Sequence, residues 1–104
     1  MLTFEKVLNI FEDYLKEDPC AEAVLTRWGY AVMIWDIRGQ DWSEVIACPT
    51  PEKLFDALLE ESDKYWSYQL ADKLGIEEYT PEIEVTVKEK CRFFLEKRRE
   101  AEQK

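Results

Sequence analysis

Six consecutive apolar residues, Tyr30-Ala31-Val32-Met33-Ile34-Trp35, set the problem that the rest of this chain has to solve. The run is far shorter than the ~18 residues needed to cross a bilayer, and its β-branched and aromatic members favour a strand. Side chains of a strand point alternately to opposite sides. Tyr30, Val32 and Ile34 would therefore line one face, and Ala31, Met33 and Trp35 the other. A sheet covered by helices on one side only alternates apolar with polar residues. Here both faces are apolar, so either helices cover both or one face meets a partner.

The flanking sequence supplies strands for this one to pair with. Ala23-Val24-Leu25-Thr26 is β-prone, and Trp28-Gly29 follows, where Gly29 can take the positive φ of a tight turn. Arg38-Gly39-Gln40-Asp41 makes a second break before Trp42-Ser43-Glu44-Val45-Ile46-Ala47-Cys48. The pattern predicts a three-stranded antiparallel meander within residues 21–48. A competing reading makes residues 19–28 a helix, with Asp18 as cap, Pro19 at its first position and Gly29 just past its end. Val24, Leu25 and Thr26 favour the hairpin.

Helices are predicted on either side. Thr3 can cap one running to about Lys16, with Phe4, Val7, Leu8, Ile10, Phe11, Tyr14 and Leu15 as its apolar stripe. Glu17-Asp18-Pro19 ends it, since the residue before proline is pushed out of the α region. Thr50-Pro51-Glu52 is a strong helix start, and that helix is expected to reach Leu74 and stop at Gly75. Thr80-Pro81-Glu82 repeats the signal, and Ile83, Val87, Cys91, Phe94, Leu95 and Arg98 follow helical spacing. Ile83-Glu84-Val85-Thr86-Val87 also alternates like a strand. From Lys97 to Lys104 only Ala101 is apolar, so the tail is expected to fray. The expected fold is α+β in the order α-β-β-β-α-α, within one domain spanning residues 1–104.

Several chemistries lack their residues. There is no histidine, the commonest general base and metal ligand. Three scattered glycines build neither a phosphate loop nor a dinucleotide fingerprint. Cys20, Cys48 and Cys91 form no CxxC pair and read as reduced, mostly buried thiols. Glu60, Glu61 and Asp63 lie in a linear cluster that reads as a solvated helix face rather than as converging metal ligands. No catalytic residue, cofactor or metal site is therefore assigned. The N-terminus lacks a signal-peptide pattern, so a cytoplasmic protein is expected.

With 23 acidic and 14 basic residues the net charge is −9, opposite to what phosphate binding requires. Direct nucleic-acid binding is not expected. The late basic residues Lys88, Lys90, Arg92, Lys97, Arg98 and Arg99 can pair with Glu84, Glu89, Glu96 and Glu100 at helical spacing. The first five predicted elements follow the order of a double-stranded-RNA-binding domain. That fold opens its second helix with a lysine cluster, whereas this helix opens Pro51-Glu52-Lys53.

The aromatic residues carry the leading functional expectation. Trp28, Tyr30, Met33, Trp35 and Trp42 fall in or beside the sheet, and Trp, Tyr and Met are enriched at protein interfaces. They are the candidate interaction surface of a non-catalytic protein-interaction module, binding a protein partner or a second copy of itself. The alternatives are that they simply fill a core, that the acidic chain mimics nucleic acid to inhibit a DNA-binding enzyme, or that it is a small enzyme using Asp, Glu, Tyr or Cys48.

Thr26-Arg27-Trp28-Gly29-Tyr30, Ile34-Trp35-Asp36, Asp41-Trp42 and Cys48-Pro49-Thr50-Pro51-Glu52 followed by Ala57-Leu58-Leu59 resemble small uncharacterised proteins of Gram-positive conjugative elements. Pro49 departs from the Cys-Ala-Thr-Pro of that group. The resemblance covers about the middle third of the chain; it implies an accessory role in a mobile element and no particular activity.

Overall fold

Thr3 accepts a hydrogen bond from the Lys6 backbone N–H at 3.2 Å and starts the first helix, as its position before an apolar stripe predicts. The computed structural model describes residues 1–75 and 81–103. Within them the order is α1 (Phe4–Ile10), α2 (Glu12–Glu17), β1 (Ala21–Thr26), β2 (Gly29–Asp36), β3 (Asp41–Cys48), α3 (Pro51–Leu74) and α4 (Pro81–Glu102). The sheet is an antiparallel meander with β2 in the centre. The α+β class and the strand order are those the sequence predicts, and the hairpin over residues 21–36 replaces the competing helix at 19–28.

The N-terminal segment differs from expectation, being two short helices rather than one. The backbone leaves helical geometry at Phe11, with φ −99° and ψ 13°. The Phe11 ring is fully buried, 5.2 Å from Phe55 and 4.5 Å from Phe94. Packing against α3 and α4, rather than a local breaker residue, accompanies this irregularity. Asp18 then ends α2 in an extended conformation ahead of Pro19, as the proline predicts.

Gly29 has a φ of +112°, which an L side chain rarely adopts. A Cβ there would lie 2.8 Å from the Cys48 carbonyl oxygen and 2.9 Å from Pro49 Cα. The β1–β2 turn is thus pressed against the exit of β3, and only glycine fits.

α3 is as the sequence predicts. Thr50 Oγ1 accepts from Lys53 N at 3.2 Å, Pro51 opens the helix, and Gly75 closes it in the left-handed region at φ 69°. α4 begins at Pro81; the expected cap, Thr80, lies outside the described residues. Residues 83–87 are helical rather than extended, with Ile83 and Val87 buried. α4 continues past Lys97 through Glu102. Arg98 Nε binds Glu102 Oε1 at 2.7 Å within the helix, and Lys6 Nζ caps it from α1 by donating to the Ala101 carbonyl at 3.1 Å.

Among the described residues, helices cover the sheet on one side only. Val7, Phe11, Tyr14, Leu54, Phe55 and Leu58 form the core with Val32 and Cys48 of the sheet, and Phe94 of α4 closes it. Phe4 packs on Tyr30 with ring centroids 5.0 Å apart. α4 packs on α1 and α3. Among the described residues no helix is long and apolar enough to cross a membrane.

Candidate functional site

The register assigns each strand residue to a side. Ala23 pairs with Val32 and Val32 with Ile46; Leu25 pairs with Tyr30 and Tyr30 with Cys48. These residues share the helix-covered face. The opposite face carries Glu22, Val24 and Thr26 from β1, Ala31, Met33 and Trp35 from β2, and Trp42, Val45 and Ala47 from β3. Only Glu22 among them is charged. Val45 is 62% exposed and Trp42 36%. Ala31 is buried, and Met33 and Trp35 are half-buried by their neighbours on the sheet.

Trp42 reaches this face through a bulge. Ile34 pairs with Glu44, but Trp35 pairs with Trp42, so Ser43 is an extra residue in β3. Its hydroxyl donates to the Ile34 carbonyl at 3.2 Å. Strict alternation from Val45 would have sent Trp42 to the helix side. The bulge returns it to the open side, where its ring meets Trp35 edge-on at 5.0 Å. Glu44 instead lies on the helix-covered face, 3.6 Å from Lys64 of α3.

Three of the five sequence candidates, Met33, Trp35 and Trp42, therefore come together on the open face. Tyr30 does not join them: it pairs across to Leu25 and Cys48 on the other side and stacks on Phe4. Trp28 is 81% exposed on the β1–β2 turn, at the far end of β2 from Trp35, about 20 Å along the strand at the usual rise per residue. Val24 and Val45 complete the patch. Their alternation with Leu25 and Ile46 was readable in the sequence, but which face the helices would cover was not.

The acidic run on α3 is not a uniformly solvated face. Glu61 is buried at 6% exposure, 3.4 Å from Lys64, which also lies 3.8 Å from Glu60. Burial raises the Glu61 carboxyl above the ordinary range, and the adjacent Glu44 adds to the shift. Those same carboxylates hold the Lys64 ammonium more firmly charged. The three cysteines are free, Cys48 fully buried and the other two partly so. Burial raises the thiols of Cys48 and Cys91, the reverse of what an activated nucleophile needs. Between α1–α2 and α4 lies an open groove of about 480 Å³ with Tyr14, Trp66, Phe93 and Phe94 in its walls. Lys90 sits 4.1 Å over the Trp66 ring there.

Of the six late basic residues, Lys88 and Lys97 pair as their spacing predicts, with Glu84 at 2.9 Å and Glu100 at 3.9 Å, while Arg98 pairs instead with Asp56 of α3 at 3.7 Å and with Glu102. Compared with protein-family models, curated proteins and solved structures, the chain matches none.

Proposed function

We propose that this chain is a non-catalytic protein-interaction module that holds its partner on the open face of the sheet. The observation carrying this reading is the content of that face: Val24, Met33, Trp35, Trp42 and Val45 on a surface with one charge, in a chain of net charge −9. Large aromatic residues with a methionine, depleted of charge at the centre, form the composition of an interface core. The Trp35–Trp42 pair would act as its anchor. The net charge of −9 suits a partner that rims an apolar patch with Lys or Arg. The resemblance of residues 26–59 to proteins of conjugative elements supports placing that partner among the products of a mobile element.

Photo-crosslinking in cells tests this reading. A crosslinking residue at Val45 is expected to give one recurring adduct, while the same residue at Arg99, on the outer side of α4, is not. Adding Met33→Lys should abolish the adduct while leaving the circular dichroism spectrum unchanged. Absence of an adduct at Val45, or its survival with Met33→Lys, would refute the proposal.

A further inference from the structure

Among the described residues, none covers the backbone hydrogen-bonding groups along the outer edge of β1. Trp35 N donates to the Cys20 carbonyl at 2.8 Å, which fixes the parity of the β1–β2 ladder. Inward-bonded positions alternate along an antiparallel strand. Glu22, Val24 and Thr26 therefore bond to β2, and Ala21, Ala23 and Leu25 direct their N–H and C=O groups away from the sheet.

Edge strands are ordinarily protected by bulges, prolines or charges. β3 has the Ser43 bulge together with Asp41 and Glu44, and Lys53, Asp56 and Glu60 of α3 stand beside its exit. β1 pairs with β2 in regular register throughout and contains neither proline nor a basic residue. Its single charge, Glu22, projects onto the open face. On the helix side the edge borders an open groove of about 550 Å³ walled by Leu8 and Leu15 and floored by the small side chains of Ala21 and Ala23. Leu25 stands at the end of the same strand, 68% exposed.

We infer that β1 pairs antiparallel with β1 of a second copy, on a two-fold axis through Ala23. Residues paired across such an axis must lie on the same face, so the axis has to pass through a residue rather than between two. With Ala23 on the axis, Ala21 lies opposite Leu25 of the other copy and Ala23 opposite Ala23. All three outward residues then donate and accept across the new ladder. Each Leu25 fills the space that Ala21 leaves beside Leu8 and Leu15, which makes the edge complementary to itself. Glu22 falls opposite Val24 of the other copy, not opposite the second Glu22. An axis at Glu22 would oppose the two carboxylates, and an axis at Val24 would leave Ala21 without a strand partner.

The product is a continuous six-stranded sheet whose two open faces lie side by side. Its contact is one strand wide, small against the 1,200–2,000 Å² of a stable interface. The dimer is accordingly reversible and depends on concentration. The inference does not rest on the proposed partner face, because the edge and the face use different groups.

Sedimentation equilibrium and amide hydrogen exchange on the whole chain test it. Wild-type protein is expected to shift from monomer to dimer on concentration, with the amides of Ala21, Ala23 and Leu25 slowing at least tenfold. Ala23→Pro removes an outward N–H that no bond among the described residues uses. It is expected to abolish dimerisation while the circular dichroism spectrum is retained. If that variant does not fold, Leu25→Lys places a charge in the same contact and should have the same effect. Met33→Lys, which alters only the open face, should dimerise like wild type. A chain that stays monomeric at millimolar concentration, or a dimer that survives Leu25→Lys, overturns the inference. So does a dimer that Met33→Lys dissolves, since it would use the open face.

Discussion

Trp35 and Trp42 lie opposite each other on β2 and β3, ring centroids 5.0 Å apart and planes at 75°, because Ser43 bulges out of the ladder instead of taking the place opposite Trp35. An edge-to-face pair adds about 0.5–1.5 kcal/mol beyond its buried area. A double-mutant cycle with Trp35→Ala and Trp42→Ala should recover a coupling of that size in urea unfolding. Deleting Ser43 should leave the coupling intact, because a regular ladder without it still places residue 42 opposite residue 35. Loss of the coupling on deletion would show that the bulge positions the rings in some further way.

Asp18 ties α2 to β1. Its Oδ2 accepts from the buried Tyr14 hydroxyl at 2.9 Å and its Oδ1 from Cys20 N at 3.0 Å. Burial first, and then the Asp18 hydrogen bond, hold the phenol well above its ordinary pKa. Tyr14→Phe leaves a nearly buried carboxylate one donor short, at a cost of about 1.5–3 kcal/mol, the range for hydrogen bonds to charged groups. Chemical denaturation at neutral pH measures this directly, and a loss below about 0.5 kcal/mol would mean that water replaces the phenol.

Glu61 should make stability depend on pH. Its folded pKa lies above the unfolded value, chiefly from burial and then from Glu44. A group shifted upwards stabilises the fold fully below its unfolded pKa, about 4.3 for glutamate, and that contribution fades as pH rises through the folded pKa. Glu61→Gln keeps the neutral form at every pH. The variant should gain on wild type as pH rises from 4 to 7, with the two converging at the acid end. Urea midpoints across that range are the measurement, and a gap independent of pH would place the effect in packing instead.

Local signals carried most of the architecture. Thr50-Pro51 and Gly75 bound α3 because caps and proline act within one turn of chain, and Gly29 marks the hairpin because its φ admits little else. Departures came where distant packing decides. Phe11 interrupts the first helix while buried against Phe55 and Phe94, neither of which is near it in sequence. α4 persists past Lys97 with Arg98 paired to Glu102 and to Asp56, and with Lys6 capping its end. The open face was half legible: the apolar run of β2 raised the question of a second face, but only the register separates Tyr30 from Met33, and no residue type announces the bulge at Ser43. Trp28 shows the limit of counting aromatics, since a tryptophan on a turn and one on a strand can be seven residues apart and address different surroundings.

The amino group of Met1 donates to the carbonyl of Glu102 at 3.1 Å, and Lys6 Nζ bridges Met1 O at 2.8 Å and Ala101 O at 3.1 Å. In topological terms the fold is a ring that is nearly closed. A linker of a few glycines can join residue 103 to residue 1, and the chain can then be reopened in the exposed turn at Gly39 without cutting a helix or strand. Such a circular permutant would start in β3 and finish in β2, turning a hairpin pairing of the sheet into its most distant one. Sequence order and three-dimensional arrangement are therefore separable in this protein, because Met1 and Glu102 meet at one corner of the fold.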